Sequence, residues 1–308
     1  LIPGLRSLPQ PEVWVLLGGA AAGTAISYLD DRYQLRARWQ LLGQLAVASL
    51  ALAAGISIDN MVNPFGADEP FRFIGPVAAV VTTLWIVGMI NSLNFVDGLD
   101  GLLSGIALIA VTTLGLISLL PPAQPAVAVL CALLAGSLLG FLPYNFHPAR
   151  IFIGTAGVFA VGYALAVLSV LGTAKVAVAL LVLGVPIIDT FWIIIRRVAS
   201  GRSPFDADRG HFHHRLLDLG LSHRGAVLVI YALCIVLAIL SLVLQGRGQI
   251  SAFVMIVIAS GIALYLITRR AREALDRRSY PEEPEPEVLG EVRDIGTELT
   301  GGGGEGGR

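Results

Sequence analysis

Nine apolar stretches, each close to the 17–25 residues that carry a helix through a bilayer, leave this chain little choice of fold. They lie near Val13–Leu29, Gln40–Ile56, Ile74–Ile90, Gly101–Leu120, Pro125–Leu142, Gly157–Gly172, Val176–Ile195, Gly225–Leu244 and Ile250–Ile267. A soluble domain carries about 25% charged residues. Here 14% of the 308 residues are charged, 55% are hydrophobic and the mean hydropathy is +0.77. Segments with period-2 alternation are absent, which argues against a membrane barrel. The expectation is an all-α integral membrane protein, a polytopic helical bundle of about nine spans.

Basic residues orient the bundle. With nine spans the two ends face opposite sides, and placing the C-terminal end inside puts 17 of the 21 basic residues in inner segments. Only Arg6, Arg72, Lys175 and Arg247 remain outside. The split holds without the tail, and the positive-inside rule fixes the orientation. A membrane-embedded region is expected over 1–270, with inner loops at 30–39, 91–101, 143–156 and 196–224. The tail, 271–308, runs through Pro281-Glu282-Glu283-Pro284 to closing glycines and is expected to be disordered in the cytoplasm. A net charge of −1 gives no nucleic-acid surface, and Cys131 and Cys234 lie in apolar runs that imply neither disulfide nor metal knuckle. No charged n-region with a cleavage site precedes the first span, so no signal peptide is expected.

This orientation gathers the polar chemistry on one side. All five histidines, Asp30-Asp31, the segment Asn91 to Asp100 and Asn145 fall on the inner face. A transporter would place such groups near the midplane, where only Asp189 stands, either as a buried salt bridge or in a direct role. The adjacent carboxylates of Asp30 and Asp31 repel each other unless a cation or a raised pKa relieves them; the alternative is a solvated helix end beside Arg32. Asn91, Asn94, Asp97 and Asp100 recur every three residues, so a helix end sets neighbours on a shared face. Two acids and two carboxamides can hold Mg²⁺ or read a polar ligand; the alternative is a hydrogen-bonded helix break. His211-Phe212-His213-His214-Arg215 suits pyrophosphate. Clustered histidines also suit zinc, but there is no His-Glu-x-x-His and no loop cysteine.

Together these segments resemble the polyprenyl-phosphate N-acetylhexosamine-1-phosphate transferases, integral membrane enzymes that start bacterial cell-envelope glycans. The resemblance runs from Asp30 to about Gly220. It comprises the Asp30-Asp31 pair, the Asn91-to-Gly101 segment, Tyr144-Asn145 with Pro148-Ala149-Arg150, Pro186 with Asp189, Arg196-Arg197 and the histidine loop. It implies transfer of a sugar 1-phosphate, most closely GlcNAc-1-phosphate, from a UDP-sugar to undecaprenyl or another polyprenyl phosphate, with release of UMP. Mg²⁺, or Mn²⁺ in its place, is the implied cofactor, in a bacterial plasma membrane with a cytoplasmic active site. A homodimer is compatible with it. By the resemblance, Asp30 or Asp31 serves as base or orienting acid for the lipid phosphate. Asn91, Asn94 and Asn145 line the nucleotide-sugar site, His211, His213 and His214 bind the diphosphate, and Asp97 and Asp100 hold the metal.

Two departures stand out. The family begins with about two further spans, so the chain is expected to be shortened at its N-terminus. The family's Gly-Asp-x-Gly-Ser reads Gly154-Thr155-Ala156-Gly157-Val158 here, with Thr155 in place of a metal-ligand aspartate. A hydroxyl is a weaker partner than a carboxylate for a hard dication. The alternative reading is therefore an impaired relative that binds nucleotide sugar or lipid phosphate without turning it over.

Overall fold

The computed structural model describes residues 10–33, 37–61, 63, 70–121, 123–171, 175–199, 201, 216–244 and 247–262. The chain divides into two units, 1–260 and 261–308, and the fold concerns the first. In hydrocarbon every backbone polar group must be satisfied within its own segment, and the apolar stretches accordingly form helices. These are α1 (Gln10–Tyr33), α2 (Ala37–Ala53), α3 (Pro76–Val96), α4 (Leu102–Leu119), α5 (Pro125–Asn145), α6 (Gly154–Val170), α7 (Lys175–Val182), α8 (Gly184–Ala199), α9 (His223–Val243) and α10 (Arg247–Ile262). Pro76 and Pro125 open α3 and α5, where a missing N–H costs nothing, and the Ser222 hydroxyl caps α9 by accepting from the Gly225 N–H at 3.2 Å.

The polytopic all-α architecture is present, but the span count of nine is not confirmed. Five described helices (α1, α3, α4, α5 and α9) are long and apolar enough to cross a bilayer, and α6 and α10 are shorter apolar helices. The segment expected as one span at Val176–Ile195 is instead α7 and α8, bent by 76°. Leu183 separates the two helices, the bend spans 183–186, and Pro186 in the first turn of α8 lacks the N–H that would bond back one turn. A two-residue antiparallel ladder, β1 (Asn60–Met61) against β2 (Phe71–Arg72), lies between α2 and α3, with Asn60 opposite Arg72. It is too short to carry the alternation of a barrel strand.

The core runs through α3, α4 and α6, with Ile86, Met89, Leu93, Leu103, Ile106, Tyr163 and Leu165 fully buried. Small residues set the close approach of α1 to α6. A Cβ on Gly19 would lie 2.3 Å from the Tyr163 ring, and one on Gly23 the same distance from Phe159. This is the small-xxx-small device of packed membrane helices, and the Tyr163 hydroxyl completes it by donating to the Val15 carbonyl at 3.1 Å. It seats the start of α6 against the end of α1.

Candidate active site

Asp30 closes α1 on its packed side and is 9% exposed, whereas Asp31 and Arg32 are exposed. The Gln40 amide on α2 donates to Asp30 Oδ2 at 2.7 Å. Asp30 Oδ1 is buried and has no hydrogen-bond partner among the described residues. Asp31 lies beside the start of α6: a Cβ on Gly154, whose φ is +64°, would sit 3.8 Å from its Oδ2. The two acids, equivalent in the sequence, thus occupy different environments.

Residues 91–101 were expected as a loop, but α3 continues through Val96. The polar side chains do not break the helix because they find partners along it. Asn91 donates to the Val87 carbonyl and to Gln44 Oε1, both at 2.7 Å, and accepts from Gln44 Nε2 at 3.4 Å. Asn91 is therefore tied to α2, while Asn94, one turn on, is exposed. The turn proper is Asp97 to Gly101. It ends on Gly101, which starts α4 in the left-handed region at φ +80° and is held from α9 by a hydrogen bond from the Tyr231 hydroxyl to its carbonyl.

A crevice opens between α1, α2, α3 and the start of α6. Its polar lining is Ser27, Asp30, Gln40, Gln44, Asn94 and Thr155, and its apolar walls include Ile26, Ile90 and Phe159. Thr155 thus shares a cavity with Asp30 and Asn94.

The Asp97–Gly101 turn forms a second polar centre with the end of α5 and the start of α9. Asp100 Oδ2 accepts from the Ala149 N–H at 3.1 Å and lies 2.8 Å from His147 Nδ1. The His147 ring stacks on His223, with centroids 5.0 Å apart, and Arg224 Nε donates to the His147 carbonyl at 2.9 Å. Asn145 is 4% exposed and used at both ends: it accepts from Ser104 Oγ at 2.6 Å and donates to the Ile151 carbonyl at 3.0 Å. It fixes the segment that carries His147.

Charge divides the two turn carboxylates. Asp97, although its side chain reaches the surface, is raised to about 6, first by lost hydration and then by the neighbouring Asp100. Burial pushes Asp100 the same way, but the Ala149 N–H, the bond to His147 and the fields of His147 and His223 hold it below the usual carboxylate range.

Gln40, Gln44, Ser104, His147, His223 and Arg224 were not singled out as site residues from the sequence. The signal for the first two was present, as an i,i+4 polar pair in an apolar segment. The others become legible only once α4, α5 and α9 are seen to meet. The inner loop expected over 196–224 begins later, because α8 runs through Ala199. Its Arg197 is buried with the guanidinium 5.8 Å from the Phe95 ring centroid, and Asp189 is half-buried. His211, His213 and His214 lie outside the described residues, as does the tail at 271–308.

The fold and this geometry define a polytopic helical membrane protein with a carboxylate-, amide- and imidazole-rich centre. The family model for glycosyl transferase family 4 matches residues 13–173, and the chain belongs to that family. It is 38% identical over 234 residues to a Bacillus subtilis protein named as a probable undecaprenyl-phosphate N-acetylglucosaminyl 1-phosphate transferase, covering 74% of this chain and 64% of that relative. It is 32% identical to the decaprenyl-phosphate N-acetylglucosaminephosphotransferase of Mycobacterium leprae, over 70% of this chain and 60% of that one. With the Mycolicibacterium smegmatis protein of the same name the identity is 34%, over 86% and 71%. The chain thus spans less than two thirds of the first two relatives.

Proposed function

We propose that this protein transfers N-acetylhexosamine 1-phosphate, most simply GlcNAc-1-phosphate, from its UDP-sugar to a polyprenyl phosphate such as undecaprenyl phosphate. The carrying observation is the buried Oδ1 of Asp30, without a hydrogen-bond partner among the described residues, in a crevice shared with Asn94, which lies one helical turn before the Asp97–Asp100 turn. The activities named for the relatives favour catalysis over a binder that does not turn over. The arginine distribution supports a plasma-membrane protein with this centre in the cytoplasm.

In the reaction an oxygen of the acceptor phosphate bonds to the sugar-bearing phosphorus. The bond from that phosphorus to the bridging oxygen breaks, and UMP leaves with the bonding pair. Mutual repulsion of phosphates is the obstacle, so alignment and charge compensation do most of the catalysis. In this reading Asp30 Oδ1 takes the acceptor phosphate's proton or aligns it, and Asn94 reads the nucleotide sugar. Asn91 and Asn145 position their segments, and the histidine loop at 211–214 is assigned the diphosphate.

Hard oxygen donors fit Mg²⁺. Among the described residues no three His, Cys, Asp or Glu side chains close on one point, so two carboxylates with water and phosphate oxygens would complete its shell. Asp97 is raised first by lost hydration and then by the Asp100 charge, and a dication would offset both. Asp97 and Asp100 would hold Mg²⁺, or Mn²⁺ in its place, which supplies charge neutralisation at the diphosphate. Membranes carrying the protein, given labelled UDP-GlcNAc, undecaprenyl phosphate and Mg²⁺, are expected to form a lipid-linked GlcNAc diphosphate and UMP. The absence of product from every UDP-N-acetylhexosamine, with folded protein present, overturns the reading.

A further inference from the structure

We propose that Gln40 is a positioning residue: its amide fixes one oxygen of Asp30 so that the other presents its lone pairs to the crevice. The inference rests on the proposed transfer and assigns a role within it that neither the sequence motifs nor the names of relatives supply.

The argument begins on α2. Gln40 and Gln44 are four residues apart and share one face of that helix. Both line the crevice, yet they do different things. Gln44 is engaged with Asn91 through both ends of its amide, which ties α2 to α3. Gln40 turns to α1 and donates to Asp30 Oδ2 at 2.7 Å. The two carboxylate oxygens of Asp30 are thereby made unequal. Oδ2 is occupied, while Oδ1 is buried with no partner among the described residues. A buried anionic oxygen without a donor is costly, and it persists where a ligand supplies what the protein does not.

The choice of donor matters. Arg32 and Arg38 flank the same hairpin, but both are exposed and lie over the rings of Tyr33 and Trp39. Among the described residues Asp30 is held by a neutral amide instead. A guanidinium would orient the carboxylate but also cancel its charge. An amide orients it and leaves the charge available at Oδ1, as a group must have if it is to draw a proton from a phosphate or face a cation. Gln40 touches Asp30 and acts through it.

The experiment compares Gln40→Leu, Gln40→Glu and Gln40→Lys in the full chain, with UDP-GlcNAc and undecaprenyl phosphate as substrates. Melting in detergent confirms that each variant folds. Leucine keeps the bulk and loses the donor, glutamate keeps the shape but sets a second carboxylate against Asp30, and lysine restores a donor. The expected order of kcat is Gln40, then Lys, then Leu, then Glu. The leucine variant should lose up to about 100-fold, the scale on which small misplacements of reacting groups are felt. KM for the UDP-sugar should not change. A packing role makes the opposite demand, with leucine and glutamate alike and lysine worst. Wild-type turnover with a flat series, or with lysine no better than leucine, overturns the role of Gln40 and leaves the transfer standing. A folded wild type that turns over no UDP-N-acetylhexosamine overturns the transfer and this inference with it.

Discussion

His147 Nδ1 stands 2.8 Å from Asp100 Oδ2, and with the Ala149 N–H that contact helps to set Asp100 apart from Asp97, three residues before it. Asp100 also accepts from the Ala149 N–H and is held low, whereas Asp97 has neither partner and is raised to about 6. Groups whose environments push them apart in this way take different roles in a site. Asp100 is built into the framework that joins the turn to the end of α5. Asp97 holds a charge that the fold does not compensate.

Asp97 therefore opposes folding once it ionises. Its folded pKa lies above the ordinary value of 3.8, so the folded state binds the proton more tightly and stability falls as pH rises from about 4 through about 6. Asp97→Asn is expected to melt higher than wild type at pH 7. Screening at this exposed carboxylate keeps the gain near about 1 kcal/mol. Thermal melting in detergent across pH 3.5 to 8 checks it: the two curves should meet near pH 4 and separate above it. Identical melting at pH 7 contradicts the uncompensated charge.

The sign reverses for Asp100. Its folded pKa is depressed, so its contribution is present above the unfolded value and is lost as pH falls through the folded one. His147→Phe keeps a ring to stack on His223 but removes the nitrogen that faces Asp100. The variant should be less stable than wild type at neutral pH, and the difference should shrink as the medium becomes acid enough to protonate Asp100. A difference independent of pH assigns His147 to stacking alone.

Ser104 and Asn145 make the buried link between α4 and α5. Ser104→Ala leaves Asn145 Oδ1 without its donor in a residue 4% exposed, at a cost of about 1–3 kcal/mol. Asn145→Ala should cost more, because it strands Ser104 and the Ile151 carbonyl together. A double-mutant cycle on melting measures the coupling. Additive losses indicate that the two residues stabilise their helices independently.

The helical class was legible because a bilayer admits few solutions for apolar segments of that length. The acids and amides at the ends of those segments were legible as candidates because so few charges interrupt the chain. Pairing was not legible. Nothing in Asn91-Ser92-Leu93-Asn94 says that the first asparagine is occupied by Gln44 while the second is open to the crevice. That difference depends on which face of α3 meets α2. Likewise Asp30 and Asp31 are adjacent and identical, and only the packing of α1 among α2, α3 and α6 buries one and exposes the other. The α7–α8 break, by contrast, lies in a segment that Pro186 visibly interrupts in the sequence, although the size of the bend is not written there.

Thr155→Asp tests whether a metal is held at the start of α6. Thr155 is half-buried in the first turn of α6, lines the crevice with Asp30 and Asn94, and follows Gly154, whose own Cβ position lies 3.8 Å from Asp31 Oδ2. A carboxylate introduced there would join two existing acids. Without a cation the three repel one another, partly offset by the favourable end of the helix dipole. With one, they form a stronger set of hard-oxygen donors than the present pair and a hydroxyl. The variant is therefore expected to melt below wild type in EDTA and to gain more than wild type on adding Mg²⁺, a readout that needs no turnover. A restored electrostatic contact to the transition state is typically worth about 2.7–4 kcal/mol, so kcat at saturating substrate should rise by roughly two to three decades. Asp97→Asn in the same background should remove most of that gain, because the turn and the start of α6 would then serve one metal–diphosphate centre. If Thr155→Asp leaves both the Mg²⁺ response and the rate of an already fast wild type unchanged, the metal is not held at this end of α6, and the turn carboxylates must hold it alone.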